Sequence, residues 1–123
     1  MITLREVESI HEILIDKFGG TKGIRDRGAL ESAINRPYQT FDQKELYPDP
    51  IDKASAIFES LISNHPFIDG NKRTAYVLMR LTLLENNLDF QADQSERYDF
   101  VLKAAKGKMK FDQIKKWLTN HLK

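Results

Sequence analysis

The sequence predicts an all-α fold, a helical bundle around a central buried helix with at most a small hairpin on its surface. Apolar residues recur at three- and four-residue steps along most of the 123-residue chain, the period of a helix with one buried face. Glycine, proline and capping residues divide this pattern into six helical segments. Residues 37–50 form a long stretch without the period, and we expect them to be an ordered surface loop or a small hairpin.

The composition limits the classes of function. Hydrophobic residues make up 41% and charged residues 30%, as in a soluble globular protein, and residues 1–123 suit one domain. A net charge of +1 gives no general attraction to nucleic acid or to anionic lipid. The absence of cysteine excludes disulfides, thiol nucleophiles and cysteine-based zinc sites. Charges interrupt every apolar run near the N-terminus, and no run is long enough to cross a membrane, so a cytoplasmic location is expected.

The first helix is predicted to begin directly at the N-terminus. Thr3 and Glu6 have the spacing of a capping box, in which each side chain accepts a hydrogen bond from the other residue's amide. Gly19-Gly20 would end this helix. Its expected buried face consists of Val7, Ile10, Leu14 and Phe18.

A glycine-containing loop, residues 21–28, leads to a short second helix. Asp26 is its expected N-terminal cap. Arg36-Pro37 would end it, because the residue before a proline avoids helical geometry. The expected buried residues are Leu30, Ala33 and Ile34.

The segment from Pro37 to Pro50 is aromatic and polar. Loops of this length in compact domains are often functional. Two interpretations of its aromatic residues stay open: they fold back onto the core, or they contact a partner. These residues are Tyr38, Phe41 and Tyr47.

Four further helices complete the predicted bundle. The third runs from about Ile51 to Asn64, and the fourth from about Asn71 to Asn86. Apolar residues surround the fourth almost completely, which predicts that it is the central buried helix. Two C-terminal helices meet near Gly107. Their expected buried residues are Tyr98, Val101, Leu102 and Ala105, then Phe111, Ile114, Trp117, Leu118 and Leu122.

The polar run between the third and fourth helices, residues 65–73, has the chemistry of a phosphate site. The free amides at the N-terminus of a buried helix carry partial positive charge, and Lys72 and Arg73 add two full charges there. Gly70 leaves that helix end open to close approach. Asp69 supplies the kind of carboxylate that holds Mg²⁺ against phosphate oxygens.

Two other residues of the run extend this interpretation. His65 carries an imidazole, which suits a general base at cellular pH, and Phe67 is the expected hydrophobic anchor of the loop. In the alternative interpretation, His65 and Asn71 only cap the two helices, and the two basic residues form a solvated first turn. Cations at a helix N-terminus oppose the helix dipole, which favours a bound anion.

Other polar residues are expected to be structural. His11 and His121 form no metal-binding pattern with His65, and each is expected on the surface or on a helix face. The C-terminal lysines are interpreted as a solvated helix face. They lie at positions 103, 106, 108, 110, 115 and 116.

The run H-P-F-I-D-G-N-K-R resembles the signature of the Fic/Doc family, H-x-F-x-[DE]-[GA]-N-[GK]-R, and fits it at every position. The upstream stretch from Gly19 to Pro37 is similar to the Doc (death-on-curing) branch, the toxins of toxin–antitoxin pairs. The resemblance covers most of the chain and implies a Fic/Doc-type helical bundle.

This resemblance implies an enzyme that uses ATP, or another nucleoside triphosphate, together with Mg²⁺. His65 would deprotonate a hydroxyl of a target protein, and Asp69 would bind Mg²⁺. The residues that would bind the nucleotide are Gly70, Asn71, Lys72 and Arg73, of which Lys72 and Arg73 would also be catalytic. By position, residues 37–50 correspond to the family's flap, which aligns the target chain.

Two departures from most AMP-adding members favour transfer of the γ-phosphate. Those members have glycine where this chain has Lys72, and a second arginine where it has Tyr76. Doc-type proteins bind the nucleotide turned around, with its γ-phosphate at the hydroxyl. Gly70 instead favours AMP transfer, because the AMP-adding members have glycine at this position and Doc itself has alanine. The expected activity is a protein kinase-like phosphotransferase acting on serine or threonine, with AMP transfer as the alternative.

The resemblance also implies partners. The target would be a translation elongation factor such as elongation factor Tu. Many relatives carry a self-inhibitory pattern, [ST]-x-x-x-E-[GN]; the nearest match here, Ser55 to Glu59, is followed by Ser60, which breaks it. A separate antitoxin is therefore the expected inhibitor, with a segment that folds on binding in a groove near His65.

A nucleic-acid-binding helical domain is the rival interpretation from another class. In it, Lys72 and Arg73 contact backbone phosphates, and binding depends strongly on salt. It leaves the pairing of His65 with Asp69 unexplained. Nucleic-acid contact is therefore expected only through a complex with an antitoxin, and no membrane contact is expected.

Overall fold

The computed structural model describes residues 2–123, which form six α-helices and one antiparallel hairpin. The helices are α1 (Leu4–Phe18), α2 (Arg27–Asn35), α3 (Pro50–Asn64), α4 (Asn71–Leu84), α5 (Gln94–Ala105) and α6 (Phe111–Asn120). The strands are β1 (Thr40–Phe41) and β2 (Lys44–Glu45), and one 3-10 turn, Arg36–Tyr38, precedes them. The predicted all-α class with a small surface hairpin is confirmed. No helix in the described part of the chain is long and apolar enough to cross a membrane.

The two N-terminal caps expected from the sequence are present. Thr3 Oγ1 accepts a hydrogen bond from the Glu6 amide at 3.2 Å, and Glu6 Oε1 accepts one from the Thr3 amide at 3.2 Å. Asp26 Oδ1 accepts a hydrogen bond from the Ala29 amide at 3.0 Å. Each cap satisfies an amide that has no partner inside its helix.

Helix α3 lies at the centre of the bundle, whereas the sequence pattern predicted that α4 would be the central helix. It packs against α2, α4, α5 and α6 and buries most of its residues. Helix α4 leaves Leu84 46% exposed. The sequence pattern did not indicate this central position because α3 contains polar residues that are nevertheless buried. The buried Ser55 hydroxyl donates a hydrogen bond to Ile51 O at 2.8 Å, and the buried Asp52 carboxylate pairs with Lys115 at 2.7 Å.

The inward face of α1 differs from the expected one. Its buried residues are Val7, His11 and Ile15. Phe18 is 54% exposed, so its assignment to the core was wrong, and Ile10 and Leu14 are half-buried. His11 is only 2% exposed. The predicted face was wrong because it was chosen from apolar residues alone, whereas the buried face includes this histidine.

Helix α5 also turns a different face to the core. Phe100 and Ala104 are buried, whereas Tyr98, expected inside, is 68% exposed. On α6 the expected Ile114 and Leu118 are buried. A column of stacked rings joins three helices and ends at His121, with centroid separations of 5.1, 4.0 and 4.0 Å. Its rings belong to Phe58, Phe100, Trp117 and His121.

The segment from Pro37 to Pro50 forms the 3-10 turn and the hairpin. Tyr47 packs on Phe111 at 5.2 Å and accepts a hydrogen bond from Arg36 Nε at 3.1 Å. Phe41, at the hairpin, is 76% exposed. The aromatic residues therefore divide: Tyr38 and Tyr47 are half-buried against the body, whereas Phe41 faces solvent.

Candidate active site

The site lies in the loop between α3 and α4, and two left-handed residues shape it. His65 forms the C-terminal cap of α3 with φ 47° and ψ 59°, and Gly70 forms the N-terminal cap of α4 with φ 75°. His65 is exposed, and its ring has no hydrogen-bond partner among the described residues. Its backbone therefore caps a helix, as the structural interpretation held, while its imidazole stays free to react.

Phe67 anchors the loop, as expected, and is 1% exposed. Its ring stacks on the ring of His11, with centroids 3.8 Å apart and planes within 5°. His11 Nε2 lies 2.8 Å from Asp69 O. Since a carbonyl oxygen only accepts, Nε2 carries a proton and donates it. His11 thus holds the loop at two points, a role that the sequence analysis missed; its i, i+4 spacing from Val7 and to Ile15 was the available signal.

Asn71 makes a reciprocal pair of hydrogen bonds with the backbone of Phe67. Its Oδ1 accepts from the Phe67 amide at 2.9 Å, and its Nδ2 donates to the Phe67 carbonyl at 2.9 Å. The side chain therefore closes the loop. What Asn71 can offer to a ligand is its backbone amide, which lies in the first turn of α4 and has no partner inside the helix.

The Asp69 carboxylate is held between two backbone amides. Oδ1 accepts from Gly70 N at 2.9 Å, and Oδ2 accepts from Thr21 N at 3.1 Å. A Cβ atom on Gly20 would lie 2.8 Å from Oδ2. Gly20 thus does more than help to end α1: it lets the chain approach the carboxylate closely.

The donor set around Asp69 fits Mg²⁺ bound together with a nucleotide. No group of three or more histidine, aspartate or glutamate residues in the described part of the chain could hold a metal by itself. Mg²⁺ commonly takes one or two protein carboxylates and completes its shell with phosphate oxygens and water. Each Asp69 oxygen keeps a lone pair beyond its amide hydrogen bond.

The structure gives a reason for glycine at position 70 other than the expected one, which was to leave the helix end open to an anion. Its φ of 75° favours glycine, and an added Cβ would lie 3.1 Å from Ile15 Cδ1 and 3.5 Å from His11 Nε2. The open side of this residue therefore faces α1. Backbone geometry and packing against α1 account for Gly70 without reference to an anion.

A cleft of about 500 Å³ brings the predicted site residues together. Its walls are His65, Ile68, Asp69, Gly70, Asn71, Lys72, Arg73, Leu102, Ala105 and Lys106. Lys106 adds a third cation, although the sequence pattern predicts it to lie with the other C-terminal lysines on a solvated helix face. Sequence spacing gave no signal for it, because only the packing of α5 beside α4 brings it to the cleft.

A second cleft of about 460 Å³ adjoins the first and shares Lys72, Arg73 and Leu102 with it. Its other walls are Tyr76, Arg80, Gln94, Arg97, Tyr98 and Val101. Four cations and no carboxylate line it within residues 2–123. The described residues that line the two clefts include none from 37–50, so the flap assignment stays a prediction.

Fold and loop together define a class: a small helical domain in which an exposed histidine, a single carboxylate and the basic N-terminus of a helix line one cleft. Residues 1–83 match the sequence model described as the Fic/DOC family, and the chain belongs to this family.

Two curated relatives support the Doc branch within it. The chain is 41% identical over 83 residues to Toxin Doc of Mycolicibacterium smegmatis, which covers 64% of each protein, so it spans just under two thirds of that relative's length. It is 27% identical over 113 residues to Protein kinase doc of Escherichia phage P1, covering 92% of this chain and 88% of that one.

Proposed function

We propose that this protein is a Doc-like toxin that transfers the γ-phosphate of ATP to a serine or threonine hydroxyl of a target protein. One observation carries the proposal: one cleft joins an unpartnered imidazole, a fixed carboxylate, two cations in the first turn of α4 and a third, Lys106, at the end of α5. These are the parts that positioning and charge stabilisation of a phosphoryl group require.

The proposed chemistry is an in-line displacement. The target hydroxyl oxygen forms a bond to the γ-phosphorus while the bond from that phosphorus to the β–γ bridging oxygen breaks, and ADP leaves. His65 takes the hydroxyl proton on its free ring nitrogen. The first-turn amides of α4, with Lys72 and Arg73, bind the phosphates. Mg²⁺, with Asp69 as its protein ligand, would neutralise phosphate charge.

Two residues of α4, Lys72 and Tyr76, favour transfer of the γ-phosphate over transfer of AMP. Lys72 fills space that glycine would leave open beside the phosphates. Tyr76, one turn further along, replaces a cation that would otherwise bind the γ-phosphate. Gly70 was the feature that favoured AMP transfer, but its backbone geometry and its contacts with α1 account for it. The name of the 27% identical relative, Protein kinase doc, also supports phosphotransfer.

Transfer is tested with cell lysate, Mg²⁺ and ATP labelled at either the α or the γ position. We expect protein labelling from γ-labelled ATP only, and loss of that labelling in His65→Ala. Ser63→Ala, an exposed position two residues away, serves as the matched control and keeps full activity. Labelling from the α position identifies AMP transfer. If neither ATP labels protein, and His65→Ala behaves like the parent, the proposal that this protein is an enzyme is refuted.

An antitoxin is the proposed inhibitor, and the second cleft suits it. The cleft presents the apolar side chains of Tyr98, Val101 and Leu102 beside basic residues, which fits an acidic amphipathic segment. Glu59, the glutamate of the broken self-inhibitory pattern, is paired with Arg36 at 2.9 Å and is structural.

Co-expression tests this partner. The protein alone should arrest growth, and the gene product that restores growth should protect Tyr98 from chemical modification. A catalytically competent protein that cells tolerate alone would contradict the toxin assignment. A translation elongation factor is the proposed target, and the labelled lysate protein identifies it.

A further inference from the structure

The segment Gly23–Asp26 runs antiparallel to Pro66–Ile68 and supports the loop from outside the motif. The Ile68 amide donates to Gly23 O at 3.1 Å, and the amides of Arg25 and Asp26 both donate to Pro66 O, at 2.8 and 3.0 Å. Ile24 and Phe67 form a bridge between the two segments. The backbone on the C-terminal side of His65 is therefore fixed by a second piece of chain.

The side chain of Arg25 acts on the other side of this histidine. Its Nε donates to His65 O at 2.7 Å, and its Nη2 donates to Asn64 O at 2.6 Å. Both carbonyls lie at the C-terminus of α3, where helix carbonyls lack amide partners and carry partial negative charge. A guanidinium has the planar fork that reaches two such acceptors at once.

The conformation held in this way is an unusual one. His65 has φ 47° and ψ 59°, the left-handed region that residues with a side chain rarely adopt. Such a conformation persists only when the surroundings fix it. It turns the chain sharply between α3 and Pro66, so it sets the direction of the imidazole relative to Lys72 and Arg73 across the cleft.

We propose that Arg25 is a positioning residue for His65: by binding the carbonyls of Asn64 and His65, it keeps the histidine left-handed and its imidazole directed at the cleft. The proposal rests on the role of His65 under the proposed function. It assigns Arg25 no contact with substrate. A residue that merely capped α3 would affect stability and leave the rate per folded molecule unchanged.

The test compares Arg25→Lys and Arg25→Ala with Arg27→Ala. Arg27 is a neighbouring, exposed cation on α2 that pairs with the half-buried Glu8 at 3.2 Å. Initial rates of γ-label incorporation into lysate protein, measured against ATP concentration, give an apparent kcat and an apparent KM. Thermal melting gives the folded fraction, by which each rate is corrected.

We expect Arg25→Lys to melt near the parent, because lysine keeps a positive charge at the helix C-terminus. Its kcat should fall about tenfold or more, since a displaced base loses alignment, while KM for ATP stays within about twofold because the phosphate site is untouched. Guanidinium ion should restore part of the kcat of Arg25→Ala. A kcat per folded molecule equal to that of Arg27→Ala overturns the proposal.

A second measurement does not depend on catalysis. The three-bond coupling between the His65 amide and α protons, with the ¹³Cα shift, reports the φ angle of this residue. We expect parent and Arg27→Ala to show left-handed values and both Arg25 variants to lose them. Left-handed values in all four proteins overturn the proposal. If the parent transfers no label at all, the proposed function fails, and this coupling alone decides the role of Arg25.

Discussion

Replacing Asn71 with alanine tests whether this side chain closes the loop or binds the nucleotide. The two reciprocal hydrogen bonds to Phe67 are 2.9 Å each and partly buried, and the substitution leaves one amide and one carbonyl without their partner. An unsatisfied buried group costs about 1–3 kcal/mol, so we expect a total loss of about 2–4 kcal/mol. This is a large share of the stability of about 5–15 kcal/mol that is typical of a domain.

The loss converts into a melting temperature. The entropy of unfolding is about 2.1 cal/mol/K per residue, or about 0.26 kcal/mol/K for 123 residues. Asn71→Ala should therefore lower the melting temperature by about 8–15 °C in the absence of nucleotide. Differential scanning fluorimetry or calorimetry measures this directly.

The control is Asn120→Ala, at the exposed C-terminal end of α6, where the asparagine side chain makes no hydrogen bond among the described residues. It should melt within about 2 °C of the parent, as most surface substitutions do. If Asn71→Ala also melts within that range and only its ATP affinity falls, the side chain binds nucleotide and the loop-closing role is refuted.

Three further substitutions have defined expectations. Gly20→Ala places a Cβ 2.8 Å from Asp69 Oδ2 at φ 123°, so Mg²⁺-dependent ATP affinity should fall in calorimetric titration; unchanged affinity would show that the carboxylate tolerates displacement. Phe67→Ala removes a ring that is 1% exposed and should cost about 3–5 kcal/mol in urea unfolding, and a cost below about 1 kcal/mol would contradict its anchoring role. Burial raises the pKa of Asp89, but hydrogen bonds from Arg80 at 3.0 and 3.1 Å and from a backbone amide hold it below its ordinary value. That stabilisation is present above about pH 4 and is lost as the pH falls through the lowered pKa, so Asp89→Asn should flatten the acid limb of the stability curve below about pH 4, and an unchanged limb would contradict it.

Local features of this protein could be predicted from the sequence because their partners lie within a few residues. The capping box of Thr3 and Glu6 and the cap at Asp26 are of this kind. The residues that line the first cleft could also be predicted to lie together, since most of them belong to the continuous run His65–Arg73 at the junction of two helices. Helix packing only had to leave the polar residues of this run accessible for them to line one cleft.

The supporting residues could not be predicted, because their partners are far away in sequence. His11 lies 58 residues from the carbonyl that it binds, and Arg25 lies 40 residues from His65. Thr21 binds the Asp69 carboxylate through its backbone amide, and nearly every residue type has such an amide, so the sequence gives no sign of this contact. Lys106 reaches the cleft only through the packing of the C-terminal helices. Polarity misled the predicted faces, since His11 is buried and Phe18 is exposed.

Phe18, although it is exposed, contacts a residue of the candidate site. The guanidinium of Arg73 lies 4.3 Å from the centre of the Phe18 ring. A cation over an aromatic face is attracted by the ring quadrupole. The end of α1 therefore helps to place one of the cations that line both clefts.

Binding of nucleotide phosphates at the N-terminus of α4, beside His65, can be tested by mapping where the nucleotide binds. ¹⁵N-labelled protein is titrated with Mg²⁺ and a non-hydrolysable ATP analogue while the amide resonances are followed. The largest shifts should occur at the amides of residues 70–73, and Asp69→Asn should weaken them. Shifts concentrated on the lysines at positions 108–116, with residues 70–73 unchanged, would show that the nucleotide does not bind at this helix end.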